Sequence, residues 1–238
     1  MSILAVIKIF LLDLLFPVSC IGCKRADYAL CPSCLRALRF MPPACIACKK
    51  IVPARGRVPP GRTCRGCRAY TPVFAFCSPF SYRDSVVKRA IHIFKFRRLH
   101  MLGGHFGDVL VSYLHYYHID FPKDSLLVPI PLHPRRLRRR GFNQSELVAM
   151  YLGEKLGLTV AGNVLKRITH TRPQTALTAD ERVENIAHSF AAPSPKLIEG
   201  KTVILLDDVK TTGATLNEAA RVLKEAGARR VWAITIAY

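Results

Sequence analysis

Hydrophobic residues follow two alternating patterns over the last two-thirds of the chain. Short apolar runs predict strands over Val73–Tyr82, Leu126–Pro131, Lys201–Asp207 and Arg230–Ile236. Stretches with apolar residues at helical spacing predict helices over Asp84–Phe96, Gly104–Tyr117, Phe142–Leu156 and Ala214–Ala226, and Gly157 closes the third of these. Because strands and helices alternate, we expect an α/β fold: a parallel sheet with right-handed crossovers, flanked by helices.

The opening segment has a different pattern. Ile3–Phe16 is apolar at helical spacing but contains Lys8 and Asp13, and it is too short to span a bilayer. We therefore expect an amphipathic helix over residues 1–18 that packs on the main domain or on a partner. Peripheral contact with a membrane surface is the alternative.

Residues 19–72 contain no long apolar period and hold eight of the nine cysteines. The eight form four Cys-x-x-Cys pairs: Cys20 and Cys23, Cys31 and Cys34, Cys45 and Cys48, and Cys64 and Cys67. A disulfide framework is one interpretation, but this spacing presents two thiolates to one tetrahedral metal, so we favour two structural Zn²⁺ sites of four cysteines each. Pairing in sequence order assigns the first four cysteines to one site and the last four to the other, while an interleaved arrangement stays open. Zinc thiolates also imply a reducing, cytoplasmic compartment.

The stretch from Val203 to Thr215 carries the most informative chemistry. Its aliphatic run Val203–Leu206 suits a strand buried on both faces, and Asp207 and Asp208 follow at the carboxyl end, where ligands of open α/β sheets bind. A loop of small residues then leads into a helix, so backbone N–H groups and the helix dipole favour an anion there. A strand end followed by a capped helix is the plainer interpretation.

This order of strand, acid pair, loop and helix resembles the ribose-phosphate motif of type I phosphoribosyltransferases. The resemblance implies that Asp207 and Asp208 hydrogen-bond the two ribose hydroxyls of phosphoribosyl pyrophosphate, whose pyrophosphate binds Mg²⁺. It implies a 5-phosphate site made of Lys210, Thr211, Thr212, Gly213, Ala214 and Thr215. The family often has an apolar or acidic residue where this chain has Lys210, so the role of that lysine is open.

A second basic motif follows the strand Leu126–Pro131. We expect Leu132–Ser145 to be a loop at the same sheet edge as Asp207, and five arginines lie in it. Arginine forks bind phosphates through paired hydrogen bonds. The candidates for binding a pyrophosphate or a nucleic-acid backbone are Arg135, Arg136, Arg139, Arg140 and Gln144. A solvated basic loop is the alternative.

Together these motifs resemble the ComF/GntX family of competence-associated, amidophosphoribosyltransferase-like proteins. The resemblance rests on Val128–Pro131 followed by Arg139–Gln144, on Leu12–Pro17 before the first cysteine pair, on the His-x-x-Lys-Phe element ending at Phe96, and on spaced residues between Arg167 and Phe190. It implies a phosphoribosyltransferase-like domain over residues 73–238, preceded by a zinc-ribbon-like module over 19–72. It also implies a hood over the sugar-phosphate site, to which Arg172, Gln174 and Arg182 would contribute.

Charge suggests a further partner. The net charge is +20, and residues 1–100 hold eighteen Lys or Arg against three Asp or Glu. Such an excess favours a polyanion, either nucleic acid or an anionic membrane surface, over a single small phosphate ligand.

The family resemblance implies handling of incoming single-stranded DNA in natural transformation, at the cytoplasmic face of the inner membrane and together with competence DNA-processing proteins. Tyr70, Phe74 and Phe76 are candidates to stack on bases. An active phosphoribosyltransferase with an unknown acceptor and a non-catalytic sugar-phosphate regulator are the alternatives.

Overall fold

The computed structural model describes residues 19–26, 28–96, 101–169 and 186–238. The helix predicted over residues 1–18 and the hood residues Arg172, Gln174 and Arg182 lie outside the described residues. In chain order the described elements are α1 (Pro32–Ala37), β1 (Ala75–Cys77), α2 (Ser85–Phe96), α3 (Met101–Tyr116), β2 (Leu126–Pro129), α4 (Pro134–Arg140), α5 (Gln144–Leu156), β3 (Thr159–Val160), β4 (Lys166–Arg167), β5 (Phe190–Ala191), β6 (Thr202–Val209), α6 (Ala214–Glu225) and β7 (Arg230–Ala237).

A five-stranded parallel sheet organises the chain, in the order β1-β7-β6-β2-β3. The predicted parallel α/β fold is therefore confirmed. Val203 on the central strand β6 is in register with Leu126 of β2 and Val231 of β7, so the carboxyl ends of the three strands meet at one edge. The antiparallel pair β4–β5 forms a separate ribbon.

Side chains of β6 divide the core between the two faces of the sheet. Ile204 and Leu206 pack with the apolar faces of α2, α3 and α5, whereas Val203 and Leu205 pack with α6. All four are completely buried, which explains the continuous aliphatic run, and each contributes roughly 1.5–3 kcal/mol by leaving water. The sheet is thus the middle layer of three.

Local signals account for the helix boundaries. Asp84 Oδ1 accepts hydrogen bonds from the backbone N–H groups of Val86 and Val87 and so begins α2. Asn143 begins α5 in the same way, since its Oδ1 accepts a hydrogen bond from the backbone N–H of Ser145. Gly157 ends this helix in the left-handed conformation. The predicted strand over Val73–Tyr82 is much shorter in the structure, because only Ala75–Cys77 pairs with β7 before Pro79.

The predicted loop over Leu132–Ser145 is wrong for its middle part, because Pro134–Arg140 forms the helix α4. Pro134 occupies the first turn of α4, the His133 side chain accepts from Arg135 N–H, and Gly141 ends the helix at φ 88°. Arginine is a good helix former, so the dense basic run extends the helix rather than breaking it. Helical spacing therefore decides which of the arginines face the site.

The cysteine-containing segment packs against the free edge of the sheet. Thr63 N–H donates to Phe74 O and Phe76 N–H donates to Gly61 O, so Gly61–Thr63 pairs with the outer side of β1. Gly61 is required there, since its φ is +70° and a Cβ would clash with Phe76 O. This pairing covers an edge that would otherwise expose unpaired backbone groups.

Among the described residues, no helix is both long and apolar enough to cross a membrane.

Candidate functional site

A cavity of about 430 Å³ opens at the carboxyl edge of the sheet. Both aspartates of β6 line it, together with the turn that follows them. The walls come from α2, α4, α5, β4 and the start of α6, so segments from most of the domain converge on the end of β6. This is the position at which open α/β sheets bind ligands.

Asp207 is the deeper of the two acids. Its Oδ1 accepts hydrogen bonds from the backbone N–H of Asp208 (2.8 Å) and from Ser145 Oγ (3.3 Å). Burial raises the pKa of Asp207 to about 7 and the neighbouring charge of Asp208 adds to the shift, while the Asp208 N–H, Lys95 and Ser145 oppose it. The carboxyl group therefore changes charge near neutral pH.

Asp208 is held by an ion pair. Lys95 Nζ on α2 donates to Asp208 Oδ1 at 2.7 Å, and the Asp208 side chain is 14% exposed. The same lysine is tied to α5, because Gln144 Nε2 donates to Lys95 O at 3.4 Å. Gln144 Oε1 in turn accepts from Arg140 Nη1 at 2.7 Å, so one polar network connects the acids to the basic helix α4.

The turn after β6 is shaped to receive an anion. Gly213 lies at φ +90° directly before α6, and Thr212 Oγ1 accepts from Ala214 N–H at 3.3 Å. Thr211, Gly213, Ala214 and Thr215 all line the cavity at the N-terminus of α6. Backbone N–H groups and the helix dipole favour a phosphate there. Thr212 faces a second cavity on the other side of the turn.

Three arginines form a basic wall opposite the aspartates. Arg136 and Arg140 are one helical turn apart on α4 and face the cavity, and Arg167 joins them from β4. Burial lowers the pKa of Arg140 and of Arg167, and repulsion from Arg136 lowers both further. An anion placed between them relieves this repulsion.

Of the predicted pyrophosphate-binding residues, the structure brings Arg136, Arg140 and Gln144 to the cavity. Arg135 and Arg139 are exposed and lie outside its lining, because they occupy the other face of α4. Lys95, Ser145 and Arg167 line the cavity without having been singled out as site residues. Of these three, Lys95 carried a signal as part of the His-x-x-Lys-Phe element and Arg167 as the first of the spaced residues up to Phe190, both through the resemblance to the ComF/GntX family.

Lys210 lines the cavity from beneath the turn. It is 5% exposed, its Nζ is 5.7 Å from the centre of the Phe76 ring, and its Cε is 3.3 Å from where a Cβ on Gly213 would be. Burial lowers the pKa of Lys210, as does the charge of Lys49, whereas Cys45 raises it. The lysine therefore lies between the turn and the second group of cysteines.

The cysteines gather into two clusters in sequence order. Within each cluster the sulfur atoms lie within 4.8 Å of one another; the first holds Cys20, Cys23, Cys31 and Cys34, and the second holds Cys45, Cys48, Cys64 and Cys67. Cys23 Sγ and Cys31 Sγ are 3.6 Å apart, and Cys48 Sγ and Cys64 Sγ are 3.7 Å apart. A tetrahedral zinc thiolate site requires sulfurs about 3.8 Å apart. Each cluster can therefore hold one zinc ion.

Comparison with known proteins agrees with the fold. Residues 139–238 match the model of the phosphoribosyl transferase domain. The chain is 37% identical over 111 residues to Competence protein F of Haemophilus influenzae (45% of this chain, 48% of the relative). It is 36% identical over 110 residues to DNA utilization protein YhgH of Escherichia coli K12 (45% and 48%), and 33% identical over 150 residues to Competence protein ComFC of Bacillus subtilis (63% and 58%).

The matches span about half the length of these curated relatives. Among solved structures, the glutamine phosphoribosylpyrophosphate amidotransferase from B. subtilis aligns with a TM-score of 0.38 at 19% identity, over 57% of this chain and 26% of the other. That likeness is too slight to support a functional comparison.

The fold and the cavity define a phosphoribosyltransferase-like α/β protein with two four-cysteine clusters before its sheet. Within that class, the chain is similar to relatives named Competence protein F, Competence protein ComFC and DNA utilization protein YhgH, in agreement with its resemblance to the ComF family.

Proposed function

We propose that this protein binds a 5-phosphoribosyl ligand, of which phosphoribosyl pyrophosphate is the leading candidate, in the cavity at the end of β6. One observation carries the proposal: Asp207 and Asp208 line the same cavity as the turn at the N-terminus of α6 and the basic side chains Arg136 and Arg140. From that turn, Thr211, Gly213, Ala214 and Thr215 reach the cavity. Paired carboxylates suit vicinal hydroxyls, an N-terminal helix turn suits a phosphate, and arginine forks suit a pyrophosphate.

Each group has a distinct role in this proposal. The carboxylates of Asp207 and Asp208 accept hydrogen bonds from the ribose hydroxyls, and the N–H groups of Thr211–Thr215 donate to the 5-phosphate. Arg136 and Arg140 bind the pyrophosphate arm. Mg²⁺, when bound with the ligand, neutralises pyrophosphate charge. Because the basic side chains around the cavity outnumber the two acids, the field inside it favours an anion.

Calorimetric titration with phosphoribosyl pyrophosphate and with ribose 5-phosphate, with and without Mg²⁺, tests this assignment. We expect the combined substitution Asp207→Ala and Asp208→Ala to weaken binding at least tenfold, since two charge-assisted hydrogen bonds are lost. The two arginines Arg136 and Arg135 form a matched pair on α4. Arg136→Ala should weaken the binding of phosphoribosyl pyrophosphate, whereas Arg135→Ala should leave its affinity unchanged. Equal affinities of the two variants would contradict the assignment of the pyrophosphate to this wall of the cavity.

Catalysis of a phosphoribosyl transfer, rather than binding alone, is the alternative function of this cavity. An active phosphoribosyltransferase would displace pyrophosphate at the anomeric carbon, with the aspartates holding the ribose while an acceptor attacks. Release of pyrophosphate in the presence of Mg²⁺, compared with the double aspartate variant, distinguishes an enzyme from a binding protein. Release that persists unchanged in the variant excludes catalysis at this cavity.

A role in handling single-stranded DNA is the second proposed function, together with competence DNA-processing partners in the cytoplasm. It is favoured by the concentration of positive charge in residues 1–100 and by relatives named for competence and DNA utilization. Fluorescence anisotropy of a labelled oligonucleotide across a salt series is the test. A steep decrease in affinity with salt supports the role, and no binding at low salt excludes it.

A further inference from the structure

A stack of arginine and aromatic side chains lies at the opposite end of β7 from the cavity. The guanidinium groups of Arg62 and Arg230 each lie over the Phe74 ring, with Cζ 4.7 Å from its centre. The ring itself packs on Trp232, centre to centre at 5.6 Å. Phe74 is therefore a support that holds two guanidinium groups, rather than a ring available to a base. Phe76, also considered for stacking, is 1% exposed and equally unavailable.

Arg68 extends this stack towards the phosphosugar cavity. Its Nε donates to Thr63 O at 3.4 Å, which fixes the side chain beside Arg62. Repulsion from Arg68 and from Arg230 adds to burial in lowering the pKa of Arg62. Among the residues that the structure describes, none of these three arginines makes an ion pair with a carboxylate. Three positive charges held together without a counter-ion favour an anionic ligand.

A second cavity, of about 540 Å³, connects Arg68 to the turn after β6. Arg68, Tyr70, Thr212 and Asn217 contribute to its lining, and Ala214 lines both this cavity and the phosphosugar cavity. Tyr70 is 81% exposed at this wall. A large, exposed aromatic ring beside an arginine is the arrangement on which unpaired bases stack.

We propose that Arg62, Arg68 and Arg230, with Tyr70, form a path for single-stranded nucleic acid that leads to the phosphosugar cavity. The arginines contact consecutive backbone phosphates, and one base stacks on Tyr70 above the second cavity. A single strand fits this arrangement better than a duplex because the stacking face of Tyr70 needs a base that is not already stacked on both sides. The inference rests on the proposed handling of DNA and assigns it a surface.

The test is binding of a labelled oligodeoxynucleotide to the whole zinc-loaded protein across a salt series. Arg68→Ala combined with Arg230→Ala removes two phosphate contacts, so we expect about tenfold weaker binding and a salt slope that is shallower by about 1.4. Lys155→Ala combined with Lys196→Ala removes the same charge from exposed positions on other elements and serves as the control. Tyr70→Ala should weaken binding about tenfold without changing the salt slope, and Tyr70→Phe should restore it.

The outcomes separate this inference from the broader proposal. If the unmodified protein does not bind the oligonucleotide at low salt, the proposed role in handling DNA is wrong, and the proposed path is wrong with it. If the protein binds but the arginine pair behaves like the lysine control, DNA handling stands and the path is wrong. If a duplex of the same length binds as tightly and Tyr70→Ala has no effect, the surface is a general polyanion site and the single-strand assignment is overturned.

Discussion

Lys95 Nζ lies 2.7 Å from Asp208 Oδ1, although 113 residues separate them in the chain. The contact ties α2 to the end of β6 at the floor of the cavity. It also places a positive charge beside two adjacent carboxylates, which lowers the repulsion between them. A ribose hydroxyl that binds Asp208 must therefore share that carboxylate with Lys95.

Removal of this ion pair should destabilise the free protein. Lys95→Met leaves Asp208 without its counter-ion beside Asp207, and we expect the free energy of unfolding at pH 7 to decrease by about 1–3 kcal/mol. Urea unfolding followed by circular dichroism measures the change. Lys88→Met, an exposed lysine on the same helix, is the control and should stay within about 0.5 kcal/mol of the parent. Equal stability of Lys95→Met and the parent would show that the pair contributes nothing.

The pKa of Asp207 predicts a pH dependence of stability. Because this pKa is raised from 3.8 to about 7, the folded state retains a proton that the unfolded state loses between these values. The free energy of unfolding should therefore decrease as pH rises from about 4 to about 7. Asp207→Asn removes this dependence and should be more stable than the parent at pH 8 by about 1–3 kcal/mol. Urea unfolding at pH 5 and pH 8 makes the comparison, with Asp120→Asn at an exposed position as control.

Gly213 should be essential to the phosphate turn in a way that other left-handed glycines are not. Gly213→Ala places a Cβ at φ +90° and 3.3 Å from Lys210 Cε, so we expect a loss of about 1–2 kcal/mol in stability and at least tenfold weaker binding of ribose 5-phosphate. Gly157 is the matched control, since it has φ +64° but a Cβ added there would meet no other atom within 4 Å. Gly157→Ala should lose about 1 kcal/mol in thermal unfolding and keep its affinity in calorimetry.

The two cysteine clusters should differ in their effect on the cavity. Cys23 and Cys48 hold equivalent, exposed positions in the first and second clusters, and substitution of either by serine should lower zinc content from two ions per chain to about one. We expect Cys48→Ser to weaken ribose 5-phosphate binding more than Cys23→Ser. The reason is that the second cluster lies beside Lys210 and adjoins the segment paired with β1.

Metal analysis by mass spectrometry and calorimetric titration of the same samples provide the two readouts. A fully folded chain that contains no zinc when purified without chelator would contradict both assignments. Equal affinity of Cys23→Ser and Cys48→Ser would contradict the link between the second cluster and the phosphate turn.

Periodicity and local chemistry made much of the fold predictable. The run Val203–Leu206 is apolar at every position because both of its faces are covered. A capping side chain begins α2, and α5 both begins and ends at residues with suitable capping groups. The same local information failed for α4. There, the five arginines predicted a loop, but Pro134 and Gly141 delimit a helix.

The sequence by itself determined the parallel α/β pattern, the acid pair followed by a phosphate-type turn, and the cysteine spacing, because these depend on neighbours within a few residues. Only the tertiary structure decided that Lys95 and Ser145 bind the two aspartates, that Arg136 rather than Arg135 faces the cavity, and that Phe74 lies under two guanidinium groups. Those contacts join segments far apart in the chain, and the order of strands in the sheet and the rotation of each helix about its axis bring them together.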